Sequence, residues 1–253
     1  DQPSSPLASV GMMASGTGST SSKYVARREV PQWIVENCTQ CMDCIVACPD
    51  TALPNTAQDI STILRTAIRN YVSQDENKDI LLEKVPAIDE AVRAEMHVHS
   101  KIKGDDYRFN DIVKDKVNEL GILDPESSVY EEFFGILERV PIAYHKTKAI
   151  FNAIERKNPG EGGVFSIFVS DLCKGCGACV TACGSHEALK MIPETEEVHT
   201  DLQSAAGFLD LLRDTPKKYL GLYNADNPEE SKMAALKFHM MQRLKYEALM
   251  LSL

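Results

Sequence analysis

Every cysteine of the chain falls in one of two short blocks. Cys38, Cys41, Cys44 and Cys48 form C-x2-C-x2-C-x3-C, followed by Pro49; Cys173, Cys176, Cys179 and Cys183 repeat that spacing, followed by Gly184. Three chemistries use such thiols. Disulfides need Cα atoms several ångströms apart and an oxidising compartment, and four cysteines packed this closely suit neither condition. Zinc takes two pairs for one tetrahedral site and does not call for a three-plus-one spacing. Iron–sulfur ligation uses all eight. In the bacterial run of this spacing, three thiolates hold one [4Fe–4S] cluster and the fourth ligates the other. On that rule cluster one takes Cys38, Cys41, Cys44 and Cys183, and cluster two takes Cys173, Cys176, Cys179 and Cys48. The crossed fourth ligands tie the halves together, so neither site is expected to assemble alone.

Each loop needs elements to hold it. A β-prone run, Trp33-Ile34-Val35, leads into Cys38, and Val164 to Val169 leads into Cys173. Pro49 to Leu53 follows the first block and Gly184 to Ile192 the second. Strand, cysteine loop, short helix and returning strand, twice over, is the pattern of a two-cluster ferredoxin. Gly175, Gly177 and Ala178 are small enough to let backbone N–H groups approach cluster sulfurs, which tunes the potential. Gly184 in place of a second proline leaves the local turn open and the ligation unchanged.

The lead-in Val30-Pro31-Gln32-Trp33-Ile34-Val35-Glu36-Asn37-Cys38-Thr39-Gln40-Cys41 resembles the start of the ferredoxin domain of pyruvate:ferredoxin oxidoreductases. Upstream, Gly16 to Thr20 and Lys23 to Arg28 stand where that family has a Gly-Thr stretch and a basic stretch. The resemblance spans residues 15–53 and 164–192. It implies an electron relay inside an enzyme that cleaves 2-oxo acids with thiamine diphosphate and coenzyme A. Thiamine diphosphate is then expected only on another domain or subunit, and the outer partner is an external ferredoxin or flavodoxin. No thiamine-, pyruvate- or coenzyme A-binding region is recognisable in the 253 residues, and no residue is read as catalytic.

Between Cys48 and Cys173 the coarse reading is helical. Ile60, Ile63, Leu64, Ala67, Ile68 and Tyr71 follow the i, i+3, i+4, i+7 spacing of a buried face. Phe109, Ile112, Val113, Val117 and Leu120 repeat it, as do Phe133, Phe134, Ile136, Leu137 and Val140. A further helix carries Ala149, Ile150, Phe151 and Ile154 and stops before Asn158-Pro159-Gly160, where Gly162-Gly163 completes a hinge. The polar stretch Asp75 to Asp79 reads as a loop. The tail from Glu229 to Leu253 reads as a helix with a methionine stripe that packs on a neighbouring domain. The fold class expected is α+β: a two-cluster bacterial-type ferredoxin core interrupted by a large helical insert. Its divisions are a linker or arm over 1–29, core halves at 30–56 and 161–195, an insert over 57–160, and a C-terminal helical segment over 196–253.

Composition sets the outer limits. With 43% hydrophobic and 25% charged residues, the chain is in the globular range. No run approaches the roughly 18 apolar residues of a membrane span, and no signal peptide is visible, so the cytoplasm is the expected compartment. The chain opens on Asp1 and is treated as open to being a segment of a longer protein. The net charge of −10 arises wholly between residues 38 and 200. Nucleic acid is disfavoured, because no basic stripe could displace counterions from phosphates. His97 and His99 alone are weak ligands, and His186 reads as an exposed loop histidine. Two alternatives stay open: the electron-transfer subunit of a hydrogenase or molybdenum oxidoreductase, and a zinc-binding interaction module.

Overall fold

The computed structural model describes residues 27–102 and 107–220. The Gly-Thr stretch, the residues from Lys23 to Ala26 and the C-terminal methionine stripe lie outside the described residues.

Around the first cysteine block, strand β1 (Glu29–Trp33) leads through a 3₁₀ turn (Val35–Asn37) to the loop, helix α1 (Asp43–Ala47) and strand β2 (Asn55–Asp59). Five helices follow: α2 (Ile60–Tyr71), α3 (Asp75–His99), α4 (Phe109–Glu119), α5 (Ser128–Arg139) and α6 (Asn152–Lys157). The second block repeats the first as β3 (Gly163–Ile167), α7 (Ala178–Cys183), a 3₁₀ turn (Gly184–His186) and β4 (Leu189–Pro193), and then come α8 (Glu196–Leu211) and α9 (Lys217–Leu220). Helix and strand are both present and helix dominates, an α+β chain.

The strands pair across the repeat instead of within it. β1 runs antiparallel to β4, with Val30 opposite Ile192 and Trp33 opposite Leu189. β2 runs antiparallel to β3, with Asn55 opposite Ile167 and Asp59 opposite Gly163. Two separate two-stranded ribbons result, and α1 packs against α7 between the repeats. Pro31 is compatible with β1 because a ribbon edge does not need its missing N–H. The helices α2–α6 leave and re-enter where the β2–β3 ladder ends, so they occupy the place of a hairpin loop.

Two apolar clusters divide the interior. One joins Ile60, Leu64, Val85, Phe133 and their neighbours on α2–α5 to Ala205, Phe208 and Leu209 of α8. The other surrounds the cysteines with Val30, Leu53, Phe165, Ile167 and Leu189. Ser127 caps α5 by accepting from the Tyr130 N–H at 3.2 Å, and Thr195 caps α8 by accepting from Val198 at 3.3 Å. α8 turns back onto α5, and Phe208 sits fully buried with its ring 6.1 Å from that of Tyr71. A Phe208→Ala protein is expected to lose roughly 3–5 kcal/mol through the cavity left behind. Urea unfolding would read this as a lower midpoint at unchanged slope.

Two local expectations are corrected. Asp75 to Asp79 is no loop: it forms the first turn of α3, which runs 25 residues. Asp75 and Glu76 favour a helix N-terminus electrostatically, and Leu81, Val85, Ile88, Val92 and Met96 supply the buried stripe. The helix expected from Ala149 starts later, at Asn152, although it does end at Lys157, before Asn158. Thr147 to Phe151 form turns whose Ile150 faces the cysteine cluster and whose Phe151 faces the helical one.

A polar network holds the junction between helices and ribbons. Tyr219 donates to Asp59 at 2.7 Å and to the Glu161 carbonyl at 3.0 Å, while Lys218 pairs with Asp59 at 2.6 Å. Arg93 pairs with Asp89 at 3.0 Å and with Glu155 at 3.1 Å. Gly163 is required here, since a Cβ would lie 2.5 Å from the Tyr219 ring and 2.7 Å from the Gln58 carbonyl. Among the described residues no helix is long and apolar enough to cross a membrane.

Candidate metal centre

Both cysteine loops take the same backbone path. Two residues after its first cysteine each loop has a residue with positive φ, and two residues further on another: Gln40 (59°) and Met42 (67°), then Gly175 (68°) and Gly177 (74°). The second loop meets these left-handed positions with glycine, which adopts them freely. In the first loop Gln40 and Met42 hold them at a cost of about 1–2 kcal/mol each, the sort of strain that surrounding packing must sustain. Gly175 has a second reason to be glycine, because a Cβ there would lie 2.6 Å from the Glu29 carbonyl.

None of the eight cysteines is in a disulfide. They line two small cavities. Cys38, Cys41, Cys44 and Cys183 line one, with Trp33 and Phe165 among the other walls. Cys48, Cys173, Cys176 and Cys179 line the second, with Pro31, Ala52 and Lys174 nearby. Each cavity therefore gathers three cysteines from one block and the last cysteine of the other. The cavities differ in depth: Cys38, Cys44 and Cys183 are buried in the first, whereas Cys176 is exposed in the second.

Backbone donors already point at sulfur. Ala188 N–H lies 3.3 Å from Cys183 Sγ, Ala52 N–H 3.2 Å from Cys48 Sγ, and Gly175 N–H 3.4 Å from Cys173 Sγ. Burial pushes the Cys38 thiol up to about 11, against the Gln40 backbone N–H and the Trp33 indole, which favour its thiolate. Burial also raises Cys41, Cys44 and Cys173, and takes Cys179 up to about 11. Soft thiolates in a sparsely hydrated pocket suit iron–sulfur chemistry, and their protons must leave when metal binds. Among the described residues no three His, Cys, Asp or Glu side chains converge on a single ion. A core of several irons accepts more widely set donors than a tetrahedral ion with bonds of about 2.3 Å.

Polar contacts fasten the loops to the frame. Arg27, whose side chain is 0% exposed, grips Glu194 through two hydrogen bonds of 2.8 and 2.7 Å. It also donates to the carbonyls of Ser170 and Cys173 at 3.1 and 3.2 Å. Glu194 in turn lies 3.0 Å from His199 Nδ1. Burial works to raise the Glu194 carboxyl, and its contacts with Arg27 and His199 outweigh that and hold it below the usual range. At the other loop, Arg108 of the helical layer pairs with buried Glu36 at 2.6 Å, just ahead of Cys38.

The remaining candidates separate. His186 is exposed at the rim of the first cavity. His97 is exposed, while His99 pairs with Glu95 at 3.2 Å and packs on Tyr107, so the two histidines do not form a site. Arg27, Glu194 and Trp33 were not legible as site residues. Arg27 and Glu194 stand 167 positions apart, and no spacing rule connects them. Trp33 carried one signal, being the sole tryptophan of the chain.

Residues 35–56 and 170–185 match the family described as 4Fe-4S binding domain. Comparison with curated proteins and with solved structures gives no match. The matched segments contain all eight cysteines, which identifies a ferredoxin-type iron–sulfur domain.

Proposed function

We propose that the two cavities hold two [4Fe–4S] clusters and that the chain relays single electrons between protein partners. Cluster one sits on Cys38, Cys41, Cys44 and Cys183, and cluster two on Cys48, Cys173, Cys176 and Cys179. The observation that carries this reading is the division of eight cysteines into two quartets, each completed by the other block. When bound, such a cluster accepts and returns one electron at a potential set by its surroundings.

The chain's own residues supply those surroundings. Ala188, Ala52 and Gly175 direct N–H groups at ligand sulfurs, which favours added negative charge. Phe165, Ile167 and Leu189 keep water from the first cavity, while Arg27 fixes the carbonyls on either side of the second loop's start. The division into core halves at 30–56 and 161–195, an insert over 57–160 and a terminal segment from 196 belongs to the same proposal. So does the cytoplasm, a reducing compartment that suits eight cysteines outside any disulfide.

The lead-in from Val30 to Cys41 supports a place in a 2-oxoacid oxidoreductase, with thiamine diphosphate on another domain or subunit and ferredoxin or flavodoxin as the external acceptor. The first test is iron, acid-labile sulfide and zinc content after purification without oxygen. About eight irons and eight sulfides per chain are expected. Zinc without sulfide would overturn the relay. Reduction of flavodoxin by the reduced, iron-loaded chain tests the acceptor.

A further inference from the structure

The two cavities are built on one plan but are not lined alike. Five residues before the first cysteine of each block stand Trp33 and Phe168. Phe168 turns away into the helical cluster. Trp33 lines the first cavity, its ring meeting Phe165 edge-on with centroids 6.0 Å apart. Its indole N–H is buried and has no hydrogen-bond partner among the described residues. A buried donor without an acceptor costs roughly 1–3 kcal/mol, so a protein that keeps one usually has an acceptor for it. Cys38, five residues on, lines the same cavity, so its sulfur is a ligand atom within the space this N–H faces.

We infer that Trp33 is a potential-tuning residue of the first centre, its indole N–H donating to the Cys38 sulfur once the cluster is in place. The inference rests on the proposed occupancy of that cavity. An indole N–H is a donor only, so it can interact favourably with a thiolate and cannot compete as a ligand. A donor to a ligand sulfur stabilises the reduced, more negative cluster and raises its potential. Cluster two receives no indole N–H, because its counterpart residue is Phe168, and Lys174 on its wall is set in an exposed loop. Trp33 therefore acts on one centre, raising the potential of cluster one and leaving that of cluster two unmoved.

The test uses the whole chain loaded anaerobically. Trp33→Phe keeps an aromatic ring against Phe165 and removes only the donor, and phenylalanine is the residue the second half already has at this position. Iron and sulfide are counted first: an unloaded wild-type protein overturns the cluster reading itself, separately from the role of Trp33. In loaded protein, redox titration followed by EPR is expected to show one midpoint lowered in Trp33→Phe and the other unmoved. Two unmoved midpoints, or an equal shift of both, overturns the inference. A second readout needs no variant. Because the chain has one tryptophan, ¹⁵N-indole labelling marks this donor alone, and pulsed EPR of the reduced wild type is expected to show a ¹⁵N coupling. Absence of that coupling also overturns the inference.

Discussion

A Cys183→Ala protein, altered in the second cysteine block, is expected to lose iron from the cavity built by the first. Cys183 ends α7, yet it lies buried on the wall shared with Cys38, Cys41 and Cys44. Three thiolates leave the fourth iron corner without its ligand, so that cluster should lose between one iron and all four, and with them its four-iron EPR signal. Cys48→Ala is expected to do the same to the other centre. EPR of the reduced proteins separates the outcomes: Cys183→Ala and Cys38→Ala should abolish one signal, and Cys48→Ala and Cys173→Ala the other. Loss paired by block, with Cys183→Ala matching Cys173→Ala, would falsify the crossed assignment. Because α1 packs on α7 between the centres, the surviving cluster should also become more labile to oxygen.

Arg27→Ala is expected to be as destabilising as emptying the Phe208 site in the helical core. Its guanidinium is wholly buried, and its partner Glu194 is only 6% exposed. Removing Arg27 leaves the buried Glu194 carboxylate with His199 as its remaining partner, and breaking a buried pair costs roughly 3–5 kcal/mol. For a chain of this size that corresponds to a melting temperature lower by about 6–20 °C. Arg27→Lys keeps the charge and loses the planar fork that meets both carboxylate oxygens, so it should recover only part of the stability. Arg28→Ala, one position along and exposed, should change stability by no more than about 0.5 kcal/mol. If Arg27→Ala melts with the Arg28→Ala protein, the buried clamp contributes nothing.

The same clamp has a defined pH dependence. Glu194 titrates below its ordinary value of 4.5 in the folded protein, so folding favours its ionised form. Its stabilisation is fully present above about 4.5 and is lost as pH falls through the lower folded value. The gap in melting temperature between wild type and Arg27→Ala should therefore be widest near neutrality and close on acidification. A gap that stays constant to strongly acidic pH would refute a role for the Glu194 charge.

Much of the chemistry was legible without a structure, because ligand identity is a matter of side-chain type and local spacing. Eight cysteines in two identical runs marked the segments that match a 4Fe-4S binding domain, and apolar residues at helical intervals marked α2, α4 and α5. Local rules failed where two signals competed. Asp75 to Asp79 is polar enough for a loop, and only the buried stripe from Leu81 to Met96 shows that those residues start a helix. The second loop's glycines announced its left-handed turns, whereas Gln40 and Met42 adopt the same turns without any sign in their residue types.

What the sequence by itself determined is the pair of cysteine runs, the repeat that carries them and the helical character of the residues between. Those depend on contacts within a turn or two of the chain. Only the tertiary structure decided that β1 pairs with β4 and β2 with β3, that α8 folds back onto the helical layer, and that Arg27 closes on Glu194. It also decided that a lone tryptophan should face one cavity while its counterpart Phe168 faces away. These features join residues far apart in the chain, and their energy comes from burial and charge pairing that exist only once the distant segments meet.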